Sequence, residues 1–183
     1  MTAARLRTAL SDQLTPERLD ELTRLCEAAF EEPFTANWER VGPGVHVMAE
    51  VDGRVVAPAM IVDRRIYVGG EMDVALDAGY VEHVATLPEL HGTGHGSTVM
   101  REINRIIRDE YALGGLGTDS TGFYQRLGWE TWLGPTAVRT PDGERVRSPR
   151  DDGHVMILRT PRTPATLALD SPIAVDWRAE EPW

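Results

Sequence analysis

The most distinctive chemical feature of the chain is a run of alternating glycines at positions 92, 94 and 96, in the sequence HGTGHG. Glycines just before a helix leave backbone N–H groups exposed and let a ligand approach closely, and the helix N-terminus adds partial positive charge. Such a loop favours a bound phosphate group. Glycine spacing alone is equally consistent with a flexible connection.

The best-known phosphate-binding motifs do not fit this loop. A P-loop needs a lysine, and the chain has none. A dinucleotide-binding fold needs an acidic residue about 20 residues later, at the end of a second strand, and no such residue is in place. His91 and His95 lack the helical face that aligns two metal ligands, so we expect no metal site. We expect His91 to donate a hydrogen bond to a phosphate instead of binding a metal.

Composition narrows the class of protein further. The chain has 183 residues, 42% of them hydrophobic, which predicts one domain, residues 1–183, with a substantial core. All 19 basic residues are arginines, so Schiff-base and kinase lysines are excluded. The single cysteine, Cys26, excludes internal disulfides and multi-cysteine metal sites, as in a reduced cytoplasm.

Charge and hydropathy limit the partners. The formal net charge of −10 disfavours nucleic acid and anionic membranes and favours cationic substrates. Because no apolar run reaches the ~18 residues that span a bilayer and no signal peptide is evident, we expect a cytoplasmic protein without membrane partners.

The first half of the chain must position this loop through a helix and several strands. We predict a strand over 4–10 and a helix over 16–30, with Thr15 as its N-cap. The predicted buried stripe of that helix consists of Leu19, Leu22, Cys26, Ala29 and Phe30. Strands at 46–51 and 55–62 flank the Asp52-Gly53 turn, strands at 66–68 and 71–76 flank Gly69-Gly70, and a further strand covers 78–86. These strands predict a meander.

The second half alternates helices and strands. A helix is predicted from the glycine loop to Tyr111, with a buried stripe of Val99, Met100, Ile103, Ile106 and Ile107. Strands at 113–117, 129–134 and 154–160 and a short helix at 120–127 follow. The segment 140–153 is predicted as a polar turn, and 161–172 as a loop.

The order strand, HGTGHG, long helix, short strand and GFYQRLGW (122–129) resembles the GNAT superfamily of acyl-CoA-dependent N-acetyltransferases. Their pyrophosphate loop reads [QR]-x-x-G-x-[GA], and this chain departs from it with histidine at the first position. The resemblance implies an α+β GNAT fold, with a mixed, mostly antiparallel central sheet flanked by helices, and acetyl-CoA as the cofactor, without a metal. It implies cofactor-binding residues in two segments: Val84, Ala85, Thr86, His91, Gly92, Thr93, Gly94, His95 and Gly96.

Over nearly its whole length the chain resembles the aminoglycoside 2′-N-acetyltransferases, which confer antibiotic resistance. The resemblance rests on Phe34-Thr35, Trp38-Glu39, 79–82, 128–135, 151–153, 176–178 and the terminal Trp183. It implies a homodimer and a C-terminal carboxylate that faces a substrate amine. The implied substrate-binding residues are Asn37, Trp38, Glu82, Asp151, Asp152, Glu181 and Trp183.

Several positions depart from that family. Asn37 stands where the family has an aspartate, Pro33 replaces an acid, and the tail acid Glu181 is a glutamate rather than an aspartate. Two negative charges fewer predict a substrate with fewer amines. Kasugamycin, which carries a carboxylate and few amines, is a substrate of one branch of this family, and we place the chain nearer that branch.

Amine acetylation by a thioester needs a neutral amine, a polarised carbonyl and a proton for the departing thiolate. The backbone N–H groups at 84–86 are the expected polarising row. Glu82 is the candidate base, through a water, or else an anchor for a substrate ammonium. His83 points to the opposite face of a regular strand and is expected to pack in the core or an interface. Tyr124 is the candidate general acid, since a phenol has a pKa near that of a leaving thiol, although simple aromatic packing also explains it.

Two other functions remain open on the sequence. A GNAT enzyme could act on a polyamine, another amino sugar or a peptide N-terminus. A non-catalytic acyl-CoA sensor would have no need of an acid, so the presence of Glu82 and Tyr124 disfavours it.

Overall fold

The computed structural model describes residues 4–70, 73–179 and 182–183, in two compact units. Unit 1 contains the chain up to Val62 together with Val81–Ile103. Unit 2 contains Asp63–Tyr80 together with Asn104–Trp183. The single domain that the length predicts stays a prediction. None of the helices in the described residues is both long and apolar enough to cross a membrane.

Unit 1 is built around an antiparallel sheet. Strand β1 (Arg5–Leu10) pairs with β2 (Val45–Val51), which pairs in turn with the first part of β3 (Arg54–Val68). The β2–β3 turn has Asp52 at φ 50° and Gly53 at φ 81°. The predicted Asp-Gly hairpin is therefore confirmed, because both turn residues take the left-handed conformation that a tight type I′ turn needs.

Helix α1 (Pro16–Phe30) has the predicted bounds but a different buried stripe. The Thr15 hydroxyl accepts from the Arg18 N–H at 3.3 Å, which caps the helix as expected. Leu25 joins Leu22 and Cys26 in the core, whereas Leu19 and Phe30 are 37% and 41% exposed. The predicted stripe was thus wrong at Leu19 and Phe30, since the buried face centres on Leu22 and Cys26.

Cys26 is a core residue, as the sequence predicts. Its side chain is fully buried, and burial, with a smaller contribution from the charge of Glu27, raises the pKa of its thiol to about 12. A thiol of that kind is inert at neutral pH.

Helices α2 and α3 follow α1 in the chain. Helix α2 (Thr35–Val41) was not predicted, because its seven residues lie between Pro33 and Gly42 and show no clear periodicity. Helix α3 (His95–Glu110) agrees with the prediction, and its five predicted stripe residues are all buried.

Unit 2 contains a mixed sheet. Its strands are β4 (Val74–Glu82), β5 (Leu113–Gly117), β6 (Glu130–Thr131), β7 (Thr136–Arg139), β8 (Arg145–Arg147), β9 (Val155–Arg159) and β10 (Ile173–Asp176). The strand order is β6-β9-β5-β4-β3-β10-β7-β8. The pairs β4–β5 and β10–β7 are parallel, while β10–β3, β5–β9, β6–β9 and β7–β8 are antiparallel. Helix α4 (Thr121–Gln125) lies between β5 and β6 in the chain. The α+β class with a mostly antiparallel mixed sheet is confirmed.

The predicted meander differs from the observed strands in several places. The segments 55–62 and 66–68 form one strand, β3, because the polar residues between them continue the strand instead of turning. Strand β4 covers 74–82 and replaces the separate strands predicted at 71–76 and 78–86, of which residues 71–72 lie outside the described part. Strands β7, β8 and β10 were missed because each has only three or four residues, too few for a clear alternation of polar and apolar positions.

His46 is a buried histidine in unit 1. It is 2% exposed, and its Nε2 lies 2.9 Å from the Ser11 hydroxyl. Burial lowers the pKa of His46 to about 4. The ring is therefore neutral in the folded protein over a pH range in which it is protonated in the unfolded chain.

We predict that the free energy of unfolding falls between pH 7 and pH 5 because of His46. The unfolded state binds the extra proton once the pH drops below the ordinary histidine pKa of about 6.5, which costs about 2 kcal/mol at pH 5. Urea unfolding at both pH values measures the change, and the His46→Gln variant should lose this contribution. Equal pH dependence in the wild type and the variant contradicts the prediction.

Candidate active site

The glycine loop of unit 1 has the geometry of an anion site. It leads into the 16-residue helix α3, and the Thr98 N–H donates to the Gly94 carbonyl at 3.0 Å. Gly92 and Gly94 have φ values of 77° and 91°, and a Cβ added at either would meet nothing within 4 Å. The loop surface is therefore open, and glycine relieves the strain that other residues would incur there. Loop and helix start together could hold a phosphate.

His91 is engaged differently from the expectation. Its Nε2 lies 2.9 Å from the Thr86 carbonyl oxygen, so this nitrogen carries a proton and donates. In the neutral ring Nδ1 is then an acceptor. His91 can donate to a phosphate through Nδ1 only as the imidazolium, while Nε2 ties the loop to the segment 84–86.

The segment after β4 supplies backbone donors in an alternating pattern. The Ala85 N–H donates to the Pro58 carbonyl at 3.1 Å, and the Leu87 N–H donates to the Val56 carbonyl at 2.9 Å. Because N–H groups alternate sides in extended chain, those of Val84 and Thr86 point the other way. The Ala85 amide is therefore engaged by β3, which leaves Val84 and Thr86 as the candidates for the expected polarising row. Their role stays a prediction.

Glu82 and His83 lie where β4 ends. Glu82 is half-buried as the last strand residue, and His83 has a φ of 56°. This conformation breaks the strand alternation, so the regular strand expected around His83 ends at Glu82. The His83 ring packs edge-on against Phe34 and Trp38, at centroid distances of 4.6 and 4.8 Å. This environment agrees with the packing interpretation of His83.

Trp38 and Asn37, expected to bind substrate, both have partners on helices of unit 1. The Trp38 indole N–H donates to the Thr23 hydroxyl at 2.9 Å. The Asn37 side-chain oxygen accepts from the Arg40 guanidinium. Both residues are half-buried, so their substrate-binding role stays a prediction.

Tyr124 lies on α4 in unit 2 and is 8% exposed. Its carbonyl accepts from the N–H groups of Leu127 and Trp129, and its ring packs edge-on against Phe123 at 4.9 Å. Burial raises the pKa of Tyr124 to about 12, and a hydrogen bond with Thr118, which lowers the pKa, offsets only part of this effect. The phenol therefore stays protonated near neutral pH, but its pKa lies further above that of a thiol than the sequence suggests.

Asn104 fixes the turn that follows Tyr124, and the sequence analysis missed it. This α3 residue is 3% exposed, its side-chain NH₂ donates to the Leu127 carbonyl, and its oxygen accepts from the Trp129 indole, both at 2.9 Å. The available signal was an asparagine next to the buried Ile103, on the apolar stripe of an amphipathic helix.

Unit 2 has a groove of about 750 Å³. Its lining combines acids, arginines and aromatic rings, including Asp119, Asp151, Arg150, Arg178, Trp177 and Trp183. The Trp183 indole N–H donates to the Ser148 hydroxyl at 3.2 Å, so the C-terminal residue is docked in this groove. Glu181 lies outside the described residues.

Asp151 and Asp152 have different environments. The Asp152 carboxylate accepts from the Arg147 guanidinium at 2.7 Å and from the N–H and hydroxyl of Thr136 at 2.9 and 2.8 Å. The Arg147 hydrogen bond, followed by those from Thr136, holds the pKa of Asp152 well below its usual range. Asp152 thus bridges strands β7 and β8, whereas Asp151 lines the groove. Their role in binding substrate stays a prediction.

Among the described residues there is no group of three or more histidine, cysteine, aspartate or glutamate side chains that could hold a metal ion.

Comparison with known proteins gives concordant results. Residues 11–132 match the acetyltransferase (GNAT) domain. The chain is similar to an aminoglycoside 2′-N-acetyltransferase of Mycolicibacterium fortuitum, with 36% identity over 187 residues, which covers all of this chain and 92% of the relative.

Solved structures show the same fold. A GNAT family N-acetyltransferase of Escherichia coli (YhbS), in complex with CoA, has a TM-score of 0.66 and 18% identity over 96% of this chain and 91% of its own. A GCN5-related N-acetyltransferase from Kribbella flavida has a TM-score of 0.56 and 24% identity over 72% of this chain. The matched region spans only 35% of the Kribbella chain.

We predict that Asn104→Leu destabilises the protein by roughly 2–4 kcal/mol, because it leaves the Leu127 carbonyl and the Trp129 N–H buried without their partner. Urea unfolding measures the loss. The matched control is Arg105→Leu on the exposed side of the same helix, for which we expect a change below about 1 kcal/mol. Similar stability of the two variants would contradict a clamping role for Asn104.

Proposed function

Since the chain belongs to the GNAT family of acetyltransferases and to the same family as the aminoglycoside 2′-N-acetyltransferases, we propose that it acetylates the 2′-amine of an aminoglycoside with few ammonium groups. A kasugamycin-type substrate is the specific proposal, and resistance to that drug is the proposed consequence. The observation that carries it is the mixed charge of the unit 2 groove, in which Asp151 and the chain terminus occur together with Arg150 and Arg178.

The groove lining supports a substrate that carries charges of both signs. The Asp151 carboxylate and the C-terminal carboxylate can bind ammonium groups, and Arg150 and Arg178 can bind a carboxylate. The rings of Trp177 and Trp183 offer apolar faces for sugar rings. A substrate with several ammonium groups and no acid would meet repulsion from the arginines.

The Asn37 region supports the same conclusion. Asn37 is neutral where the family has an aspartate, and its oxygen accepts from Arg40. This stretch of unit 1 therefore offers an ammonium group less negative charge than an aspartate would.

The loop and the extended segment of unit 1 fit acetyl-CoA. The open backbone at Gly92 and Gly94 and the start of α3 suit its pyrophosphate, and the N–H groups of Val84 and Thr86 suit the pantetheine arm and thioester carbonyl. When bound, acetyl-CoA supplies the thioester whose acetyl group is transferred.

Two side chains carry the proposed proton transfers. Glu82 accepts the amine proton through a water, or it anchors a substrate ammonium, and both roles remain open. Tyr124 donates to the departing thiolate sulfur. Because burial raises the pKa of Tyr124 to about 12, the phenol retains its proton throughout the physiological range and acts first as a hydrogen-bond donor. The homodimer and the cytoplasmic location stay predictions from the resemblance and the sequence.

We predict that Tyr124→Phe lowers kcat by roughly 100-fold or more, with little change in CoA affinity, since the ring remains and only the donated proton is lost. Thiol-release kinetics at saturating substrate measure kcat. A suitable control is Tyr111→Phe, which removes a hydroxyl that donates to Asp63 outside the groove. Turnover close to that of the wild type would exclude the acid role.

The Tyr124 contribution should also persist at alkaline pH. An acid works while it is protonated, so activity that depends on Tyr124 is present below its pKa of about 12 and is lost only as the pH approaches that value. We therefore expect no loss of kcat from this group between pH 7 and pH 10.

We predict a kcat/KM for kasugamycin at least ~10-fold above those for gentamicin and tobramycin, because one mismatched charge is worth about that factor. Arg150→Ala should reduce the preference, whereas Arg162→Ala, at an exposed position outside the groove, should not. Preference for the multi-amine drugs contradicts the proposal. Turnover of polyamines or peptides alone indicates a different acceptor, and CoA binding without any turnover indicates a sensor.

A further inference from the structure

The guanidinium of Arg64 contacts the C-terminal tail at two points, and we propose that Arg64 is a positioning residue that sets the Trp183 carboxylate in place to bind a substrate ammonium. This inference rests on the proposed function, because it assumes that the carboxylate meets an amine. Nothing in the sequence pattern indicates it, since Arg64 and the tail are more than 100 residues apart.

Arg64 joins the two ends of the tail. One terminal nitrogen, Nη1, donates to the Pro182 carbonyl at 2.6 Å, and the other, Nη2, donates to the Asp176 carbonyl at 2.9 Å. The first carbonyl belongs to the penultimate residue, and the second belongs to the last residue of β10. The Arg64 guanidinium thereby links Asp176, at the end of β10, to Pro182, next to Trp183.

The guanidinium is itself fixed by an aromatic ring. Its Cζ lies 4.7 Å from the centroid of Tyr80, a residue that is 1% exposed. A cation on a buried ring has little freedom to follow a moving tail. Arg64 therefore provides a rigid reference point for a chain end, which would otherwise fray.

Gly117 forms the seat of the carboxylate. A Cβ built on this glycine would lie 3.2 Å from the Trp183 carboxyl carbon, 3.5 Å from its oxygen and 3.5 Å from the Tyr80 hydroxyl. The carboxylate thus lies directly on the backbone at the end of β5. Since the backbone of Gly117 has no positive φ, the close approach of the tail is what requires a glycine here.

The geometry requires the planar fork of arginine. Two carbonyls are bound by two different nitrogens, and charged donors to carbonyl oxygens form strong, directional hydrogen bonds. A lysine ammonium at the same position is a point charge and cannot reproduce both bonds with the same stacking on Tyr80.

Electrostatics and positioning predict opposite results when Arg64 is replaced. A positive charge near a carboxylate that binds ammonium groups weakens that binding, so removal of the charge alone would lower the KM for the amine. If Arg64 positions the carboxylate, its removal raises that KM, because the tail leaves its seat.

The kinetic test compares Arg64→Gln and Arg64→Lys with the control Arg162→Gln. Arg162 is exposed and lies outside the groove lining. For Arg64→Gln we expect the KM for the aminoglycoside to rise about 10- to 100-fold, from the loss of one charge-assisted contact, while the KM for acetyl-CoA changes less than about 2-fold. Arg64→Lys should give a partial rise, and Arg162→Gln none.

Gly117→Ala tests the seat without any change of charge. Its methyl group displaces the carboxylate, so the KM for the amine should rise in the same direction. A lowered or unchanged amine KM in both Arg64→Gln and Gly117→Ala overturns the proposal.

A second measurement does not depend on activity. The chain has five tryptophans, so fluorotryptophan labelling and ¹⁹F NMR of the full chain can follow Trp183, whose signal is assigned with Trp183→Phe. In Arg64→Gln the Trp183 signal should move towards that of an exposed indole, and in Arg162→Gln it should stay. An unmoved signal in Arg64→Gln overturns the proposal. If the wild type acetylates no aminoglycoside, the proposed function fails, and this signal still decides whether Arg64 holds the tail.

Discussion

The backbone at His83 is the constraint on which the candidate cofactor site depends. A non-glycine residue at a φ of 56° is unfavourable by roughly 1–2 kcal/mol, and it ends β4 at Glu82. The chain then continues beside β3, where Ala85 and Leu87 donate to Pro58 and Val56 and the intervening amides point outward. The packing of the His83 ring against Phe34 and Trp38 offsets the strain. One unusual residue thus ends the strand and places the row of amides.

The net charge and the local charge of the protein have different consequences. A formal charge of −10 attracts cations from a distance, but it does not determine which ligand a groove accepts. In the unit 2 groove, Asp152 is engaged by Arg147 and Thr136, while Arg150 and Arg178 line the same space as Asp151. The overall acidity of the chain suggests a strongly anionic site. The groove instead carries charges of both signs, and such a groove selects a ligand by the positions of its charges as well as by their number.

The sequence predicted the parts of the structure that depend on neighbouring residues. The cap at Thr15, the Asp52-Gly53 turn and the stripe of α3 are local signals, and all three are present in the structure. Strands β7, β8 and β10 were missed because short segments become strands only through partners that are distant in the chain. The same reason applies to the site: glycine spacing located the loop, but the engagement of Asp152 and the tail contact of Arg64 come from tertiary structure.

Burial of Tyr124 has two opposing effects on its proposed role as a general acid: it fixes the phenol in its protonated form, and it makes the proton harder to release. A buried phenol keeps its proton and a defined direction, since Phe123 and the turn held by Asn104 restrict the ring and its backbone. The same burial raises the pKa of Tyr124 to about 12, above the range of a thiol, so full proton transfer is uphill even to the released thiolate. A hydrogen bond that strengthens as negative charge develops on sulfur costs little in the ground state and stabilises the transition state. In the proposed mechanism, Tyr124 is therefore a preorganised hydrogen-bond donor to the departing sulfur.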